Sequence, residues 1–371
     1  MDTDSATSGW VHTSTAQQVR FGVGVSRRLG SVLRELGIRR VLLVTSAGRA
    51  NSDEGAAVVE GLGRALTATF AEVLEHAPAP VIQAAAIQAR GETIDALVSL
   101  GGGSAIDTAK AVGFFLEHES GTPGAGFADR PALPHIAIPT TWSGAASTSR
   151  FSMTDPRSRH KTVGGGPTVA PVVAVYDPEL IATTDKALAA LSGMAALAQS
   201  IEVTISAQRT PESEALALAA IGRIWGSLPA AVEGSPEAVT SMTEAAALAG
   251  RAAENAELGI VHGLAVLLGG RSGVSHGLAS ALLLAPALRF NQDAVGDRFE
   301  QLGASIGRED LPSAVDELVA ELGITERLSD VGVIDEDIEA VARLSQQSPS
   351  VRTNPRPTGE ADVRALVEDA F

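Results

Sequence analysis

Ala96-Leu-Val-Ser-Leu-Gly-Gly-Gly-Ser-Ala-Ile-Asp-Thr-Ala-Lys-Ala111 reads as a short buried strand, a glycine turn and the start of a helix. Gly101, Gly102 and Gly103 leave no side chain between the backbone and an incoming group, and each takes positive φ at little steric cost. The amides of Ser104 and Ala105 would then stand at a helix N-terminus, where free N–H groups and the helix dipole favour phosphate. Asp107 falls in the first turn and Lys110 one turn later. An ordinary strand-to-helix turn capped by Ser104 would look the same, so the segment needs its context.

Working outward, continuous apolar runs recur at 40–45, 68–74, 135–140 and 172–177, each suited to a parallel strand covered on both faces. Helical patterns fall between them, as at 24–36 and 84–89. That alternation marks an open parallel sheet with helices on its faces. Residues 1–17 are small and polar and read as a loose tail. After Asp177-Pro178 strand patterns stop, and alanine-rich helical periodicity takes over. Helices are expected to begin near Asp185, Glu212, Ser235, Asn255, Ser280, Ala294, Pro312, Asp335 and Glu360. The expected fold is an α/β dinucleotide-binding domain over 1–182 and an all-helical domain over 183–371, with the ligand cleft between them.

Composition narrows the partners. With no cysteine among 371 residues, disulfides, thiolate metal sites and a cysteine nucleophile are excluded. The formal net charge of −16 argues against nucleic acid and anionic membrane surfaces, both of which need basic patches. No apolar run of transmembrane length is expected, and Arg27 and Arg28 follow rather than precede the early apolar stretch. A cytoplasmic location is therefore the expectation. Lysine occurs only at 110, 161 and 186, arginine carrying the other positive charge.

Further polar constellations stand around this frame. Thr140 and Thr141 end a strand and could bond a ribose or phosphate, or simply cap a helix. Lys161, in Ser158-Arg-His-Lys-Thr-Val163, reads either as solvated charge or as a ribose or phosphate contact. His262 and His276 each adjoin a glycine in the helical half. Two imidazoles make a poor metal cage, and Glu202 and Glu257 are the oxygen donors considered beside them.

Together these residues resemble the iron-containing alcohol dehydrogenase superfamily, its maleylacetate reductase branch in particular. The resemblance rests on Phe21-Gly22, the glycine-serine-aspartate block, Ile138-Pro-Thr-Thr141 and Tyr176-Asp-Pro-Glu-Leu180. It continues through Val261-His-Gly263, Ser275-His-Gly277 and Asn354-Pro-Arg-Pro357, in the family's order along nearly the whole chain. It implies that Gly101, Gly102, Gly103 and Ser104 hold a cofactor pyrophosphate, with Asp107, Thr140, Thr141 and Lys161 along the rest of the dinucleotide. Ser46 stands where many members carry a ribose-binding aspartate, which leaves NADH and NADPH both open, with Arg49 available to a 2′-phosphate.

The family's metal ligands are only half present. Ala195 and Gln199 replace an aspartate and a histidine, Val266 replaces a further histidine, and His262 and His276 remain. No tightly bound metal is expected; members of the maleylacetate reductase branch also lack the full set. The resulting expectation is a metal-independent NAD(P)H-dependent reductase of a small carbonyl compound, functioning as a homodimer. His262 or His276, as imidazolium, would donate the proton, and Arg271 would anchor a substrate carboxylate. A non-redox enzyme on the same fold and a non-catalytic ligand-binding homologue remain as rivals.

Overall fold

A computed structural model describes residues 10–119 and 133–371, so most of the expected N-terminal tail lies outside the described residues. The first half runs β1 (Gln18–Phe21), α1 (Leu29–Leu36), β2 (Val41–Thr45), α2 (Ala47–Ala50), α3 (Asp53–Leu62), β3 (Leu66–Phe70), α4 (Ala79–Gly91), β4 (Ala96–Gly101) and α5 (Gly103–Glu119). It continues with β5 (His135–Pro139), β6 (Arg150–Asp155), β7 (His160–Gly165) and β8 (Val173–Tyr176). Thereafter the described chain is helical: α6 (Pro178–Ile181), α7 (Lys186–Ile205), α8 (Pro211–Val232), α9 (Pro236–Glu254), α10 (Ile260–Ser272) and α11 (His276–Val295). The last are α12 (Asp297–Ser305), α13 (Leu311–Glu321), α14 (Asp335–Ser345), α15 (Pro349–Arg352) and α16 (Glu360–Asp369).

Six strands pair in parallel in the order β1-β8-β5-β4-β2-β3, the open sheet that the alternating pattern predicts. Its strands are apolar on both faces because both are covered. Val41, Leu43, Val98, Ile136 and Val175 meet α1 and α3 on one side. Leu42, Val44 and Leu97 meet α4 and α5 on the other. At β5 and β8 that second face passes to the helical half, where Ala137, Ala174 and Tyr176 share a core with α7 to α11. The two halves are thus joined through apolar packing next to the carboxyl ends of the strands.

Several expectations shift. The strand expected at 68–74 is β3, which starts and ends earlier; Leu74, its expected end, is exposed. Residues 84–89 are the middle of the longer α4. The helix expected near Asn255 starts at Ile260, and the one expected near Ser280 starts at His276, where Ser275 accepts the Leu278 amide. Residues 158–163, read partly as solvated charge, lie across the turn and second strand of an antiparallel hairpin, β6 with β7. The α7 and α8 helices are long and apolar enough to span a membrane, contrary to the expectation that no such run exists. Both owe their hydropathy to alanine as well as to larger residues, and 67% of the α7 window is buried inside the fold.

Asp177, 1% exposed, closes the start of the chain onto the sheet. Its carboxylate accepts from the amides of Gly24 and Ser26, at 3.0 Å each, and from the Ser26 hydroxyl at 2.6 Å. Leaving those donors without acceptors in Asp177→Ala should lower the unfolding free energy by about 3 kcal/mol, read as a lower urea midpoint; an unchanged midpoint would refute this role.

Candidate active site

A cavity of about 1320 Å³ opens at the carboxyl ends of β2, β4 and β5, with α7, α10 and α11 forming its opposite wall. That is room for a dinucleotide and a small second ligand together. The glycine turn forms one end because its neighbours require it. A Cβ on Gly101, whose φ is +152°, would lie 2.8 Å from the Ala105 Cβ, and one on Gly103 would lie 3.1 Å from the Ser143 hydroxyl. The Thr140 amide donates to the Gly101 carbonyl at 3.0 Å, tying the loop after β5 to the turn. Helix α5 starts at Gly103, one residue earlier than expected, and the Ala105 amide is already bonded to the Gly102 carbonyl. Gly103 and Ser104 therefore present the amides at this helix N-terminus that have no intrahelical acceptor.

The neighbouring polar residues divide by task. Asp107 lines the cavity, but one carboxylate oxygen accepts from both the amide and hydroxyl of Ser152, anchoring β6. Lys110 is fully buried and donates to the carbonyls of Ala145 and Arg150 and to the Thr148 hydroxyl; burial pushes it down to about 8. Thr140 and Thr141 also border the cavity. Ser46 caps α2 at the end of β2, beside Arg49. The Arg49 guanidinium is not free: it donates to the Thr183 hydroxyl at 2.8 Å and lies 3.7 Å from Glu54. A carboxylate thus borders this end of the cavity after all, supplied by α3 rather than by β2.

At the other end α10 and α11 bring His262 and His276 together across sequence, ring centroids 5.2 Å apart in an edge-to-face pair. Burial, reinforced by the positive charge of Lys161, holds His262 at about 4, and burial with its imidazole and lysine neighbours holds His276 well below the usual range. Both rings are neutral at neutral pH. The imidazolium expected at one of them is therefore not the resting form.

Glu202 does not join them. Its oxygens accept the amides of Val261 at 2.7 Å and His262 at 3.1 Å, capping α10, and burial pushes this carboxyl up to about 7. Glu257 is engaged by Arg150 and Ser350. Gln199 borders the cavity and donates to the Ala249 carbonyl, and Ala195 offers only a methyl. Among the described residues, no three His, Cys, Asp or Glu side chains form a group able to hold a metal ion. The donor set does not fit the metal cage of the superfamily that the sequence resembles.

Arg271 departs from expectation. Its Nε donates to Asp337 at 2.8 Å, joining α10 to α14, and it does not line the cavity. Arg150, ion-paired with Glu257, and Lys161, held on β7, are cations that face the cavity near the histidines. His76, missed in the sequence, stands beside Lys161 with Nδ1 3.4 Å from the lysine Nζ. Its positive φ of 61° is uncommon outside glycine, though histidine is among the residues enriched there.

Residues 16–178 match the family model for iron-containing alcohol dehydrogenase, and 189–371 match its C-terminal counterpart. The chain belongs to the iron-containing alcohol dehydrogenase family. As a member, it is an oxidoreductase. It is 30% identical to the lactaldehyde reductase of Escherichia coli over 95% of this chain and 97% of that one. It is 29% identical to the maleylacetate reductase of Pseudomonas aeruginosa over 98% and 97%. Among solved structures, the sulfoacetaldehyde reductase of Bifidobacterium kashiwanohense, in complex with NAD+, superposes with a TM-score of 0.86 at 25% identity, covering 97% of this chain and 98% of that one.

The buried imidazoles of this dehydrogenase fold set its response to acid. His262, His276, His76 and His135 all have values lowered by burial, so the unfolded chain takes up protons near pH 6.5 that the native one refuses. Their contribution is full above about pH 6.5 and is lost as pH falls towards 4. Glu202, raised, acts oppositely: stability from it declines as pH rises from about 4.5 to 7. Four imidazoles against one carboxyl should make the urea midpoint lower at pH 5 than at pH 7. A double His262→Phe, His276→Phe variant should lose more than half of that difference, because Glu202 still opposes the two imidazoles that remain; a variant retaining all of it would contradict this origin.

Proposed function

We propose that the protein is a metal-independent NAD(P)H-dependent reductase of a small carbonyl compound, acting in the cleft between units 1–182 and 183–371. The observation that carries this reading is the shared cavity, with the free amides of Gly103 and Ser104 at one end and the His262–His276 pair at the other. The glycine turn and these amides suit a pyrophosphate, with Thr140 and Thr141 beside it. A bound dihydronicotinamide supplies a hydride to the carbonyl carbon.

The chain's own task is to stabilise charge on the carbonyl oxygen. A metal would do so as a Lewis acid, but two imidazoles with Ala195 and Gln199 leave that role without an anionic ligand. A neutral imidazole N–H of His262 or His276 instead hydrogen-bonds to the oxygen as it becomes negative. The proton that completes the alcohol reaches the oxygen through this ring, which solvent then replenishes. The apolar side chains of Val266, Leu267 and Leu191 around the pair exclude water and strengthen that hydrogen bond.

Cofactor preference turns on Arg49. Because Glu54 and Thr183 already engage it, we favour NADH, with NADPH disfavoured by the Glu54 charge. We extend the reading to a cytoplasmic homodimer: β1 is an edge strand with Val19 and Phe21 each 39% exposed, an apolar margin suited to a second copy.

EDTA-treated protein should bind NADH at micromolar concentration, more tightly than NADPH, and Glu54→Gln should narrow the gap; a folded sample that binds neither nucleotide would sink the reductase reading. In a carbonyl screen of aldehydes, ketones and keto acids followed by NADH oxidation, EDTA should leave turnover intact. His276→Ala should lower kcat by roughly 10²-fold or more while NADH affinity stays within about twofold, and unchanged turnover would remove His276 from the proton path.

A further inference from the structure

The turn after β3 is strained at two successive residues. His76 and Ala77 both have left-handed backbones, with φ of 61° and 45°, immediately before Pro78. Histidine is enriched in that region, but alanine is not, and a following proline disfavours it further. Such conformations persist where the surroundings over-determine them, and they cluster at ligand clamps. Here the surroundings are the β6–β7 hairpin. The Ala77 carbonyl accepts the Thr154 amide at 3.3 Å, and Pro78 forms a bridge with the same residue. Thr154 in turn stands opposite Lys161 in the register of β6 with β7. The strained turn therefore delivers the His76 ring to that lysine.

Two hydrogen bonds define the state of the ring. Its Nε2 lies 3.2 Å from the Gly273 carbonyl, which can only accept, so Nε2 carries the proton. Nδ1, 3.4 Å from the Lys161 ammonium, is then the lone-pair acceptor of a neutral imidazole. Burial first, and the lysine charge second, push His76 below the usual histidine range and keep it neutral. Two glycines of α10 make room for the pair. A Cβ on Gly269 would lie 3.1 Å from the His76 ring, and one on Gly270 would lie 2.7 Å from the Lys161 amide nitrogen. Lys161 itself is 9% exposed and lines the cavity, close enough to His262 and His276 for its charge to act on both. One ammonium N–H is held by the ring, which leaves two for a ligand.

We propose that His76 is a positioning residue for the cofactor: it fixes the direction of the Lys161 ammonium, whose two remaining N–H groups meet the hydroxyls of the nicotinamide-side ribose. The inference rests on the reductase reading. Hydride transfer near the His262–His276 pair puts the nicotinamide at that end of the cavity, and its ribose follows beside Lys161. A lysine has a long stem and three rotatable donors, so an untethered ammonium loses much freedom on meeting a ligand. Bonded in advance to a ring that is itself tied to Gly273, it loses little, and that saving appears as affinity. His76 touches no ligand in this scheme and acts only through Lys161.

The test compares NADH with ADP, which lacks the nicotinamide ribose, by calorimetry on the wild type and its variants. His76→Leu should weaken NADH by roughly fivefold or more and leave ADP within about twofold. His76→Asn keeps an acceptor at the position of Nδ1 and tolerates positive φ, so it should restore most of the NADH affinity. Merely structural damage would add to the loss caused by Lys161→Gln, whereas His76→Leu should cost nothing further once that lysine is gone. Unchanged NADH binding in His76→Leu, an equal loss for ADP, no rescue by His76→Asn, or full additivity with Lys161→Gln would each overturn the proposal. If the wild type fails to bind NADH, the reductase reading falls, and histidine 15N spectra of the nucleotide-free protein decide the pairing by themselves. An Nε2–H tautomer of His76 whose Nδ1 signal moves in Lys161→Gln upholds it, and an Nδ1–H tautomer or an unmoved signal refutes it.

Discussion

The architecture depends on how closely the turn after β4 approaches the loop after β5. A side chain at Gly101 would collide with Ala105, and ones at Gly102 and Gly103 would crowd Thr141 and Ser143, so this approach favours glycine. Once it is made, the α5 N-terminus opens into the cavity beside Thr140 and Thr141, and the first turns of α5 reach the next layer. From there Asp107 holds Ser152, and the buried Lys110 ammonium gathers three acceptors from residues 145–150. The steric allowance at three residues thus fixes both the floor of the cavity and the hairpin that borders it.

The helical half contributes by a different principle. Its histidines belong to helices that begin within the cavity wall, α10 capped by Glu202 and α11 by Ser275. These caps orient the helix starts, and burial disfavours charge on the rings. The consequence is electrostatic: imidazoles that would be mixed in charge near neutrality are held neutral. In the proposed reduction, a neutral ring of that kind would act through a hydrogen bond to developing charge rather than by release from an acid. Ala195 and Gln199, which also border the cavity, add no charge to it, and neutral rings need no anionic partner.

The sheet and the glycine turn were legible because buried parallel strands are continuous in sequence and glycine runs are local. The helical half was legible in its elements, less so in their starts, since α10 waits for a cap supplied by Glu202, far upstream in α7. The site was harder. Lys161 reads from sequence either as part of a charged patch with Arg159 and His160 or as a ribose or phosphate contact, and on β7 the alternation of a strand leaves it buried between exposed His160 and Thr162. Arg271 looked free because its partner, Asp337, is 66 residues away on α14. Likewise Glu54 reaches the Ser46 end of the cavity from a separate helix, and His76 meets Lys161 only across 85 residues of sequence. Charge pairing and inward facing are properties of the folded whole.

The β6–β7 hairpin has a mechanical consequence. It is bolted to α5 at one side by buried bonds from Asp107 and Lys110, and to the helical half at its tip by Arg159, which lies 3.2 Å from the same Asp337 that binds Arg271. The hairpin is therefore a strut across the cleft rather than a flap above it. Its two fixings differ in strength, for the Arg159 side chain is 46% exposed and its ion pair is open to screening by salt, whereas Lys110 is wholly enclosed. Ionic strength therefore acts on the hairpin's link to the helical half through two half-exposed arginines, Arg159 on Asp337 and Arg150 on Glu257.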